Sequence, residues 1–370
     1  MVCLNRIAIL KGTMETFGGG ERVAANLCND LCNDFEVSLI TYNSSKSAYY
    51  LKDNVKVVRL SSSEKCTKIN AHLSVFRLRK YIVECMIDVI LIIGRSSFPL
   101  IPILAAMGTK TKIVFCDQST LECFKFVPAG MMTTIYRYIT QCAINLFSER
   151  IVTLTIKERE NYLSKYLLNI NKLVTIYNYI DISKFKKAPI KSKKIISVAR
   201  LDYSKGFEYL IKVAAGVLSK HPDWRWDVYG EGDKAYTQKL EKIKSEYGLD
   251  GKLFFMGNSD DIYNKYPLYS IFVFTSRYEG FGLTLLEAMA SGLPSVSFNI
   301  YSGPSEIICD GLNGYLVDPY DVISMENKIC TLINDAKIRE SFSKNTQKEM
   351  CKFDRKMIVE KWKRLIFDII

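Results

Sequence analysis

The stretch TSRYEGFGLTLLEAMASGLPSVSF, residues 275–298, holds two carboxylates, Glu279 and Glu287, on either side of a glycine-rich turn. Its pattern predicts the end of a buried strand, a loop over residues 277–282 and a helix over residues 283–291 that Gly292 and Pro294 terminate. The first N–H groups of a helix lack intrahelical partners and carry the positive end of its dipole. The stretch therefore predicts a phosphate site at the helix start, formed by Gly280, Phe281, Gly282, Leu283 and Thr284.

The two carboxylates are candidates for binding the groups on either side of such a phosphate. Glu287 lies about one turn into the predicted helix, within reach of a ribose, whereas Glu279 precedes the helix, near a sugar beyond the phosphates. An alternative is a capping box, because Thr284 and Glu287 fit the S/T-x-x-E pattern in which each side chain satisfies the other's backbone N–H. Both interpretations remain open from this stretch alone.

The rest of the chain repeats the alternation of apolar runs and amphipathic helical stretches. Such runs include RIAIL, EVSLITY, DVILIIG and KIVFCD in the first half and KIISVAR, WRWDVYG, KLFFMG and GYLV in the second. This alternation is typical of parallel strands joined by crossover helices. The length of 370 residues and the polar, basic stretch DISKFKKAPIKSKK between the two series predict two domains, 1–183 and 184–353, with a closing helix over 354–370 that packs on the first domain.

Composition excludes several classes of protein. With 48% hydrophobic and 24% charged residues, the chain is typical of folded, soluble proteins. Its most apolar segment, residues 88–108, is interrupted by Gly94, Arg95, Pro99 and Pro102, so it does not offer the ~20 apolar residues of a membrane span. The first residues lack the features of a signal peptide. We therefore expect a cytoplasmic protein.

A second set of candidate residues follows the strand predicted at KIISVAR. Arg200 and Lys205 lie in the loop after this strand, and ligands of open α/β sheets bind at the carboxyl ends of strands. Two fixed cations can neutralise a diphosphate leaving group, a role that a metal ion has elsewhere. A loop arginine and lysine are more often merely solvated, and it is their combination with the predicted helix-start site that favours a function.

An ordered set of segments resembles the retaining glycosyltransferases of family 4. The segments are FGGGERVAANL, VTIYNYIDISKF, ARLDYSKGFEYLI, VYGEGD, FMGNSDDI, residues 275–298 and SGPSEIICDGLNGYLV, and they cover nearly the whole chain. The resemblance implies an α/β GT-B fold, with two Rossmann-like domains facing each other across a cleft. It also implies transfer of a sugar, with retention of configuration, from a nucleoside diphosphate sugar, with UDP favoured, to a saccharide or polyprenyl-diphosphate-linked glycan in synthesis of O-antigen, capsule or exopolysaccharide.

The resemblance assigns roles to individual residues. It implies that Glu279 binds a hydroxyl of the donor sugar, Glu287 binds the ribose, and Arg200 and Lys205 bind the diphosphate. Gly257 in FMGNSDDI belongs to the implied nucleotide site, and Gly19 and Gly20 belong to the glycine loop expected near the donor phosphates. An ordinary tight turn between strand and helix is the alternative for these glycines.

The chain departs from the family pattern after the strand KIVFCD. Many members carry a histidine there, where this sequence has Asp117 and Gln118. Asp117 is our candidate for contacts with the donor sugar or the acceptor, with a strand-end cap as the alternative, and the group that accepts the acceptor's proton stays open. No D-x-D motif occurs in the sequence, and the resemblance implies no metal and no cofactor besides the sugar donor, whose departing phosphate can act as the base.

The basic residues are unevenly distributed. Of the net charge of +12, residues 1–190 carry +10, from 25 Lys and Arg against 15 Asp and Glu. This asymmetry predicts that the first domain contacts the anionic inner face of the cell membrane. The candidate contacts are the apolar helix over residues 131–147 and the basic segment with Lys65, Lys68, Arg77, Arg79 and Lys80. The alternative is a solvated basic face with a buried helix beneath it.

Two other functions are compatible with parts of the pattern. A nucleotide-sugar epimerase or a phosphorylase shares the fold and differs in whether it requires an acceptor or consumes free phosphate. A nucleic-acid-binding protein would account for the net charge of +12, but the sequence has neither a recognisable binding motif nor aromatic residues interleaved with its basic ones. We therefore expect no nucleic-acid partner.

Overall fold

The structure, a computed structural model, describes residues 4–43, 46–61, 71–95, 98–126 and 129–370. It divides into two compact units: unit 1 is Met1–Asn178 together with Met357–Ile370, and unit 2 is Tyr179–Lys356. The division precedes the basic linker seen in the sequence, which belongs to unit 2. Backbone hydrogen bonds explain this, since the N–H of Ala188 donates to the carbonyl of Ser291 and the N–H of Arg355 to that of Ile180.

Unit 1 is built on a parallel sheet with helices between most successive strands. The strand order is β3-β2-β1-β4-β5-β6-β7. All five residues of β4, VILII, are buried, as expected for a parallel strand covered on both faces. The elements of this unit are β1 Arg6–Leu10, α1 Gly19–Leu31, β2 Glu36–Thr41, β3 Lys56–Arg59, α2 Ala71–Glu84, β4 Val89–Ile93, α3 Leu100–Ala106, β5 Lys112–Cys116, α4 Cys123–Phe126, α5 Met131–Phe147, β6 Arg150–Thr153, α6 Ile156–Lys165 and β7 Leu173–Thr175.

Unit 2 repeats this architecture with the strand order β10-β9-β8-β11-β12-β13, again parallel. Its first helix buries Phe207, Leu210, Ile211, Ala214 and Leu218, the spacing of an amphipathic helix that packs on a sheet. The elements are β8 Lys194–Val198, α7 Phe207–Lys220, β9 Arg225–Tyr229, α8 Lys234–Glu246, β10 Leu253–Phe255, α9 Ile262–Lys265, β11 Ile271–Phe274, α10 Leu283–Ala290, β12 Ser295–Phe298, α11 Pro304–Ile307, β13 Gly314–Val317, α12 Val322–Asn334 and α13 Ala336–Met350.

Most of the last helix, α14 at Arg355–Phe367, belongs to unit 1. The ring of Phe367 lies 5.1 Å from that of Phe35, and the ammonium group of Lys363 lies 2.9 Å from the carboxylate of Asp34. Among the residues that the structure describes, no helix is both long enough and apolar enough to cross a membrane.

The parallel strands and crossover helices predicted from the sequence are confirmed in both units. In each sheet the strand order reverses direction beside the first strand: β1 lies between β2 and β4, and β8 lies between β9 and β11. Helices leave on opposite faces at such a point and open a crevice beyond the carboxyl ends of the strands. The candidate site residues are therefore expected at these two sheet edges.

Candidate functional site

The predicted residues of unit 2 lie in loops at the carboxyl edge of its sheet. Arg200 and Lys205 follow β8, Gly257 follows β10, and Glu279 lies between β11 and α10. Because β8 and β11 are neighbours, the loops that follow them are adjacent at the reversal point of the sheet. The fold thus brings together residues that are more than seventy positions apart in the sequence.

The central feature of this edge is an ion pair between Lys205 and Glu279. The Nζ atom of Lys205 lies 2.7 Å from Oε1 of Glu279, and the side chains are only 20% and 13% exposed. The hydroxyl of Ser276 donates to the same carboxylate oxygen at 2.7 Å. A cation and a carboxylate are therefore held side by side before any ligand is present.

A glycine makes this pairing possible. Gly206 has a φ of +65°, and a Cβ atom there would lie 2.2 Å from the carbonyl oxygen of Thr275. The hydroxyl of Thr275 donates to the carbonyl of Lys205 at 3.0 Å, and the N–H of Arg277 donates to the carbonyl of Ser204 at 2.7 Å. The backbones of the two loops are thus in contact, and this contact places Lys205 beside Glu279.

Arg200 has a different environment from Lys205. Its side chain is 67% exposed, and its Nε atom donates to Oδ2 of Asp202 at 2.7 Å. Burial alone would raise the pKa of Asp202, but hydrogen bonds from Ser204 and Arg200 outweigh it and hold that pKa below its usual range. Asp202 therefore stays charged and positions the guanidinium group at the sheet edge.

The helix α10 begins where the sequence predicts, at Leu283, and ends at Ala290. Its N-cap is Gly282, with a φ of +102°, and no side chain caps it. Thr284 lies inside the helix, so the capping-box alternative for Thr284 and Glu287 is wrong. The first N–H groups of α10 thus remain available to a ligand, as the phosphate-site prediction requires.

The loop before α10 packs against residues that follow β12. Phe281 is buried, and its ring lies 5.6 Å from that of Phe353. Gly303 has a φ of +102°, and a Cβ atom there would lie 2.3 Å from the carbonyl oxygen of Phe281. The hydroxyl of Ser302 donates to the carbonyl of Gly280 at 3.3 Å. The motif SGPSE thus fixes the turn over Gly280 and Phe281.

Glu287 lies on the buried side of α10 and is only 1% exposed. Its Oε2 atom accepts a hydrogen bond from the hydroxyl of Tyr266 at 3.0 Å. Tyr266 is itself buried and comes from the segment before β11. The ribose contact of Glu287 stays a prediction, and no sequence pattern pointed to Tyr266 as its neighbour.

In unit 1 the glycine loop accommodates an ion pair that sequence reasoning missed. Gly19 and Gly20 open α1, as predicted, and Gly18 is its N-cap. The Nζ atom of Lys11 lies 3.5 Å from Oε1 of Glu21, and a Cβ atom on Gly20 would lie 2.9 Å from that Nζ. A Cβ atom on Gly18 would lie 2.2 Å from Oε2 of Glu21. Both atoms are the ends of flexible side chains that can shift, so these contacts do not by themselves require glycine at either position.

Asp117 follows β5, at the carboxyl edge of the sheet in unit 1, but its side chain is 0% exposed. Its Oδ2 atom accepts hydrogen bonds from Nη2 of Arg95 at 2.7 Å and from the hydroxyl of Tyr162 at 2.6 Å. In this arrangement Asp117 orients Arg95, which follows β4. The substrate contact of Asp117 stays a prediction.

Gln118 follows Asp117 in the loop where many family 4 members carry a histidine. Its Oε1 atom accepts a hydrogen bond from Nδ2 of Asn178 at 3.2 Å, and its Nε2 atom is buried without a partner among the described residues. Its Cβ atom would lie 3.3 Å from a Cβ atom on Gly94, which follows β4. Across the described ranges, no group of three or more His, Cys, Asp or Glu side chains is arranged to hold a metal ion.

Two family models account for most of the chain. Residues 17–184 match the model described as Glycosyltransferase Family 4, and residues 179–349 match the model described as Glycosyl transferases group 1. The chain belongs to glycosyltransferase family 4. The resemblance inferred from the ordered motifs is thereby confirmed.

Curated relatives of this family 4 protein span nearly its whole length. It is 25% identical over 370 residues to the amylovoran biosynthesis glycosyltransferase AmsD of Erwinia amylovora, covering 98% of this chain and 99% of the relative. It is 26% identical over 369 residues, with the same coverage, to a Campylobacter jejuni protein named as an alpha-1,4-N-acetyl-D-galactosaminyltransferase that acts on GalNAc-alpha-(1->4)-GalNAc-alpha-(1->3)-diNAcBac-PP-undecaprenol. The protein is a glycosyltransferase.

A solved structure identifies the fold. The crystal structure of Anabaena Alr3699/HepE in complex with UDP and glucose matches with a TM-score of 0.84 and 18% identity, covering 98% of this chain and 99% of the other. At this identity the similarity establishes the GT-B fold and not the substrate. The GT-B fold predicted from the resemblance is thus confirmed.

Proposed function

We propose that this protein transfers a hexose-type sugar, with retention of configuration, from a UDP-sugar to a saccharide or lipid-linked saccharide acceptor in cell-surface polysaccharide synthesis. In this proposal unit 2 binds the donor and unit 1 binds the acceptor. The observation that carries it is the ion pair of Lys205 with Glu279 beside the uncapped start of α10. These groups match the donor's two chemical ends, an anionic diphosphate and a hydroxyl-bearing sugar.

Each residue of this edge has a role in the proposed reaction. The N–H groups at the start of α10 and the ammonium group of Lys205 stabilise the negative charge that develops on the diphosphate as the bond to the sugar breaks. Arg200, held at the edge by Asp202, adds a second cation. Glu279 accepts a hydrogen bond from a sugar hydroxyl, and Glu287 one from the ribose. The departing phosphate takes the acceptor's proton, and the fixed cations replace a metal ion.

The relatives support the substrate class. The Campylobacter relative is named for an alpha linkage and for a substrate linked to undecaprenol, and the Erwinia relative is named for biosynthesis of amylovoran. UDP and glucose are bound in the matching HepE structure. A sugar that is α-linked in its nucleotide donor and α-linked in the product has been transferred with retention. We propose the same outcome here, at the inner face of the cell membrane where lipid-linked acceptors are available.

The experiment is a mass-spectrometric screen of nucleotide sugars with polyprenyl-diphosphate-linked saccharides, with and without a metal chelator. We expect transfer from a UDP-sugar that persists in the chelator, and an α configuration of the new linkage by NMR. Conversion of the nucleotide sugar without any acceptor would instead support the epimerase. Activity that depends fully on added Mg²⁺ or Mn²⁺ would contradict the role of the fixed cations.

A further inference from the structure

Helix α5 exposes a stripe of apolar side chains to solvent. Met132 is 77% exposed and Leu146 is 69% exposed, and Ile135 and Ile139 between them are exposed as well. These four residues recur at helical spacing and form a stripe along the helix. The residues of α5 that are buried are Thr140, Gln141 and Ile144, so the helix packs on unit 1 through a small, partly polar contact. The exposed stripe lacks an apolar partner within the described part of the chain.

The neighbouring helices extend this apolar surface. α3 packs between α2 and α5, and all three contribute exposed apolar side chains. On α2 the exposed residues again recur at helical spacing, and on α3 they lie near its C-terminal end. We name this surface the α2–α3–α5 face; it comprises Leu73, Phe76, Val83, Leu104, Met107, Met132, Ile135, Ile139 and Leu146. Exposed apolar side chains grouped on neighbouring helices in this way mark a candidate interaction site.

Basic side chains lie beside the same face. Lys80 on α2 is 74% exposed, and its only neighbouring charge among the described ion pairs is Glu84 at 3.7 Å. Near the C-terminal end of α5, a groove of about 520 Å³ is lined by Met107, Lys110, Phe147 and the pair of Lys112 with Glu149, whose charged atoms lie 3.6 Å apart. α5 itself contains Arg137 and no acidic residue. The face thus combines apolar side chains with cations, the composition of a surface that binds anionic lipid.

We propose that the α2–α3–α5 face lies in the headgroup region of an anionic lipid leaflet. This rests on the proposed function, in which the acceptor is lipid-linked, and specifies the surface that brings the enzyme to it. A second copy of the chain is the less favourable occupant. In a two-fold contact the same patch meets itself, so Lys80, Lys110 and Arg137 of one copy would approach those of the other. An anionic leaflet is complementary to both the apolar and the basic residues.

The inner side of α5 connects this face to the carboxyl edge of the sheet. Oε1 of Gln141 accepts a hydrogen bond from Nη2 of Arg95 at 2.8 Å, and the same Arg95 is bound by Asp117. Because Arg95 follows β4, the helix that contacts the leaflet is fixed to the edge where unit 1 is proposed to bind the acceptor. Docking by α5 therefore holds the lipid surface at a fixed place relative to that edge.

The structure changes which residues test membrane binding. The sequence suggested Arg77, Arg79 and Lys80, but Arg77 donates to the carbonyl of Leu60 at 2.7 Å, and Arg79 donates to the carbonyl of Met107 at 2.6 Å. Charge reversal at these two arginines would disrupt the fold, so a loss of binding would be uninformative. Lys65 and Lys68, also suggested by the sequence, lie outside the described residues.

The test uses co-sedimentation of the full chain with phosphatidylglycerol–phosphatidylcholine vesicles and with pure phosphatidylcholine vesicles. We expect binding that requires the anionic lipid and falls with salt. The triple variant Ile135→Ser, Ile139→Ser, Leu146→Ser should bind roughly tenfold or more weakly, because it removes three apolar side chains from the contact. Lys80→Gln with Lys110→Gln should weaken binding by roughly fivefold per charge. The control is Ile323→Ser, which replaces a residue of α12 in unit 2 that is 71% exposed, more than any of the three, and which should bind like the wild type.

Each outcome has a distinct meaning. Equal binding by the triple variant and the Ile323→Ser control would overturn the proposal, as would a dimer in sedimentation equilibrium that the triple variant converts to a monomer. UDP binding and sugar transfer to a soluble acceptor, measured on the same samples, test the proposed function separately. Transfer without vesicle binding would remove only the membrane face, whereas vesicle binding without UDP binding or transfer would remove the proposed function.

Discussion

The ion pair of Lys205 and Glu279 allows the two halves of the donor to be tested separately. Replacing Lys205 with methionine removes the ammonium group and keeps most of the side chain's length. In the proposed function this abolishes one charge-assisted hydrogen bond to the diphosphate, which contributes about 1.5–3 kcal/mol. We therefore expect the Kd for UDP to rise by roughly 10- to 150-fold.

Glu279→Gln should act in the opposite way on UDP. It removes the negative charge that lies 2.7 Å from the Lys205 ammonium and competes with phosphate for it. UDP binding should stay equal or become tighter, while turnover with the UDP-sugar is lost because the sugar hydroxyl loses its charged acceptor. Both side chains are largely buried, so we also expect Lys205→Met to lower the free energy of unfolding by about 1–3 kcal/mol.

The assay is isothermal titration calorimetry with UDP on each variant, after circular dichroism has shown that the variants are folded at the working temperature. The matched control is Lys220→Met, which removes a lysine paired with Glu326 at the same 2.7 Å, in the last turn of α7. This control should bind UDP like the wild type. The reasoning is refuted if Lys205→Met leaves the Kd for UDP unchanged, or if Glu279→Gln weakens UDP binding as much as Lys205→Met does.

Three further variants test other parts of the site and the fold. Glu287→Ala should raise the Kd for UDP about tenfold or more, because the ribose contact is lost. Calorimetry and kinetics on the same variant test this, and an effect on turnover alone would contradict the role. Gly206→Ala should lower the free energy of unfolding, measured in urea, by about 2 kcal/mol or more. The control is Gly248→Ala, because Gly248 has the same φ of +65° but open space at its Cβ position, and its loss should be clearly smaller. Equal losses would contradict the steric explanation. Burial raises the pKa of Glu158 to about 7 although Leu121 and Thr120 donate hydrogen bonds to it. The contribution of Glu158 to the free energy of unfolding is therefore complete below its ordinary pKa of 4.5 and is lost as pH rises to about 7. We expect the free energy of unfolding to decrease by up to about 3 kcal/mol over this range. Urea titrations at pH 5 and pH 8 measure this decrease, which Glu158→Gln should abolish.

Local patterns were sufficient to predict the elements that carry the site. The strand β11, the glycine turn and the helix α10 follow from residues 270–294 alone, because apolar runs, glycines and helix stops act over a few positions. The capping box was wrong because a T-x-x-E sequence does not fix which residue is the N-cap. In this chain Gly282, with its positive φ, is the N-cap, and the helix begins at the next residue, Leu283.

Contacts between residues that are far apart in the chain could not be predicted from the sequence. Asp117 is bound by Arg95, 22 positions earlier, and by Tyr162, 45 positions later, so only the folded sheet shows that its carboxylate is occupied. The glycines at the start of α1 indicated a phosphate loop, but no local pattern predicted the ion pair of Lys11 with Glu21 beside them. For α5, the sequence predicted an apolar helix. Which side faces solvent depends on the packing of α3 and the position of Arg95.

The pairing of each candidate cation with a carboxylate has a consequence for substrate preference. A bare diphosphate that binds Lys205 draws the ammonium group away from Glu279. The Glu279 carboxylate, only 13% exposed, then keeps the hydrogen bond from the Ser276 hydroxyl but loses its counter-charge. Loss of a partner by a buried charge is costly. A nucleotide sugar avoids this cost, because its sugar hydroxyl donates to Glu279 while its phosphate accepts from Lys205. The proposed site should therefore bind the complete donor more tightly than UDP, and Glu279→Gln, which leaves no charge behind, should reduce that difference. A variant that binds UDP and UDP-sugar with the wild-type ratio of affinities would show that Glu279 does not contact the sugar.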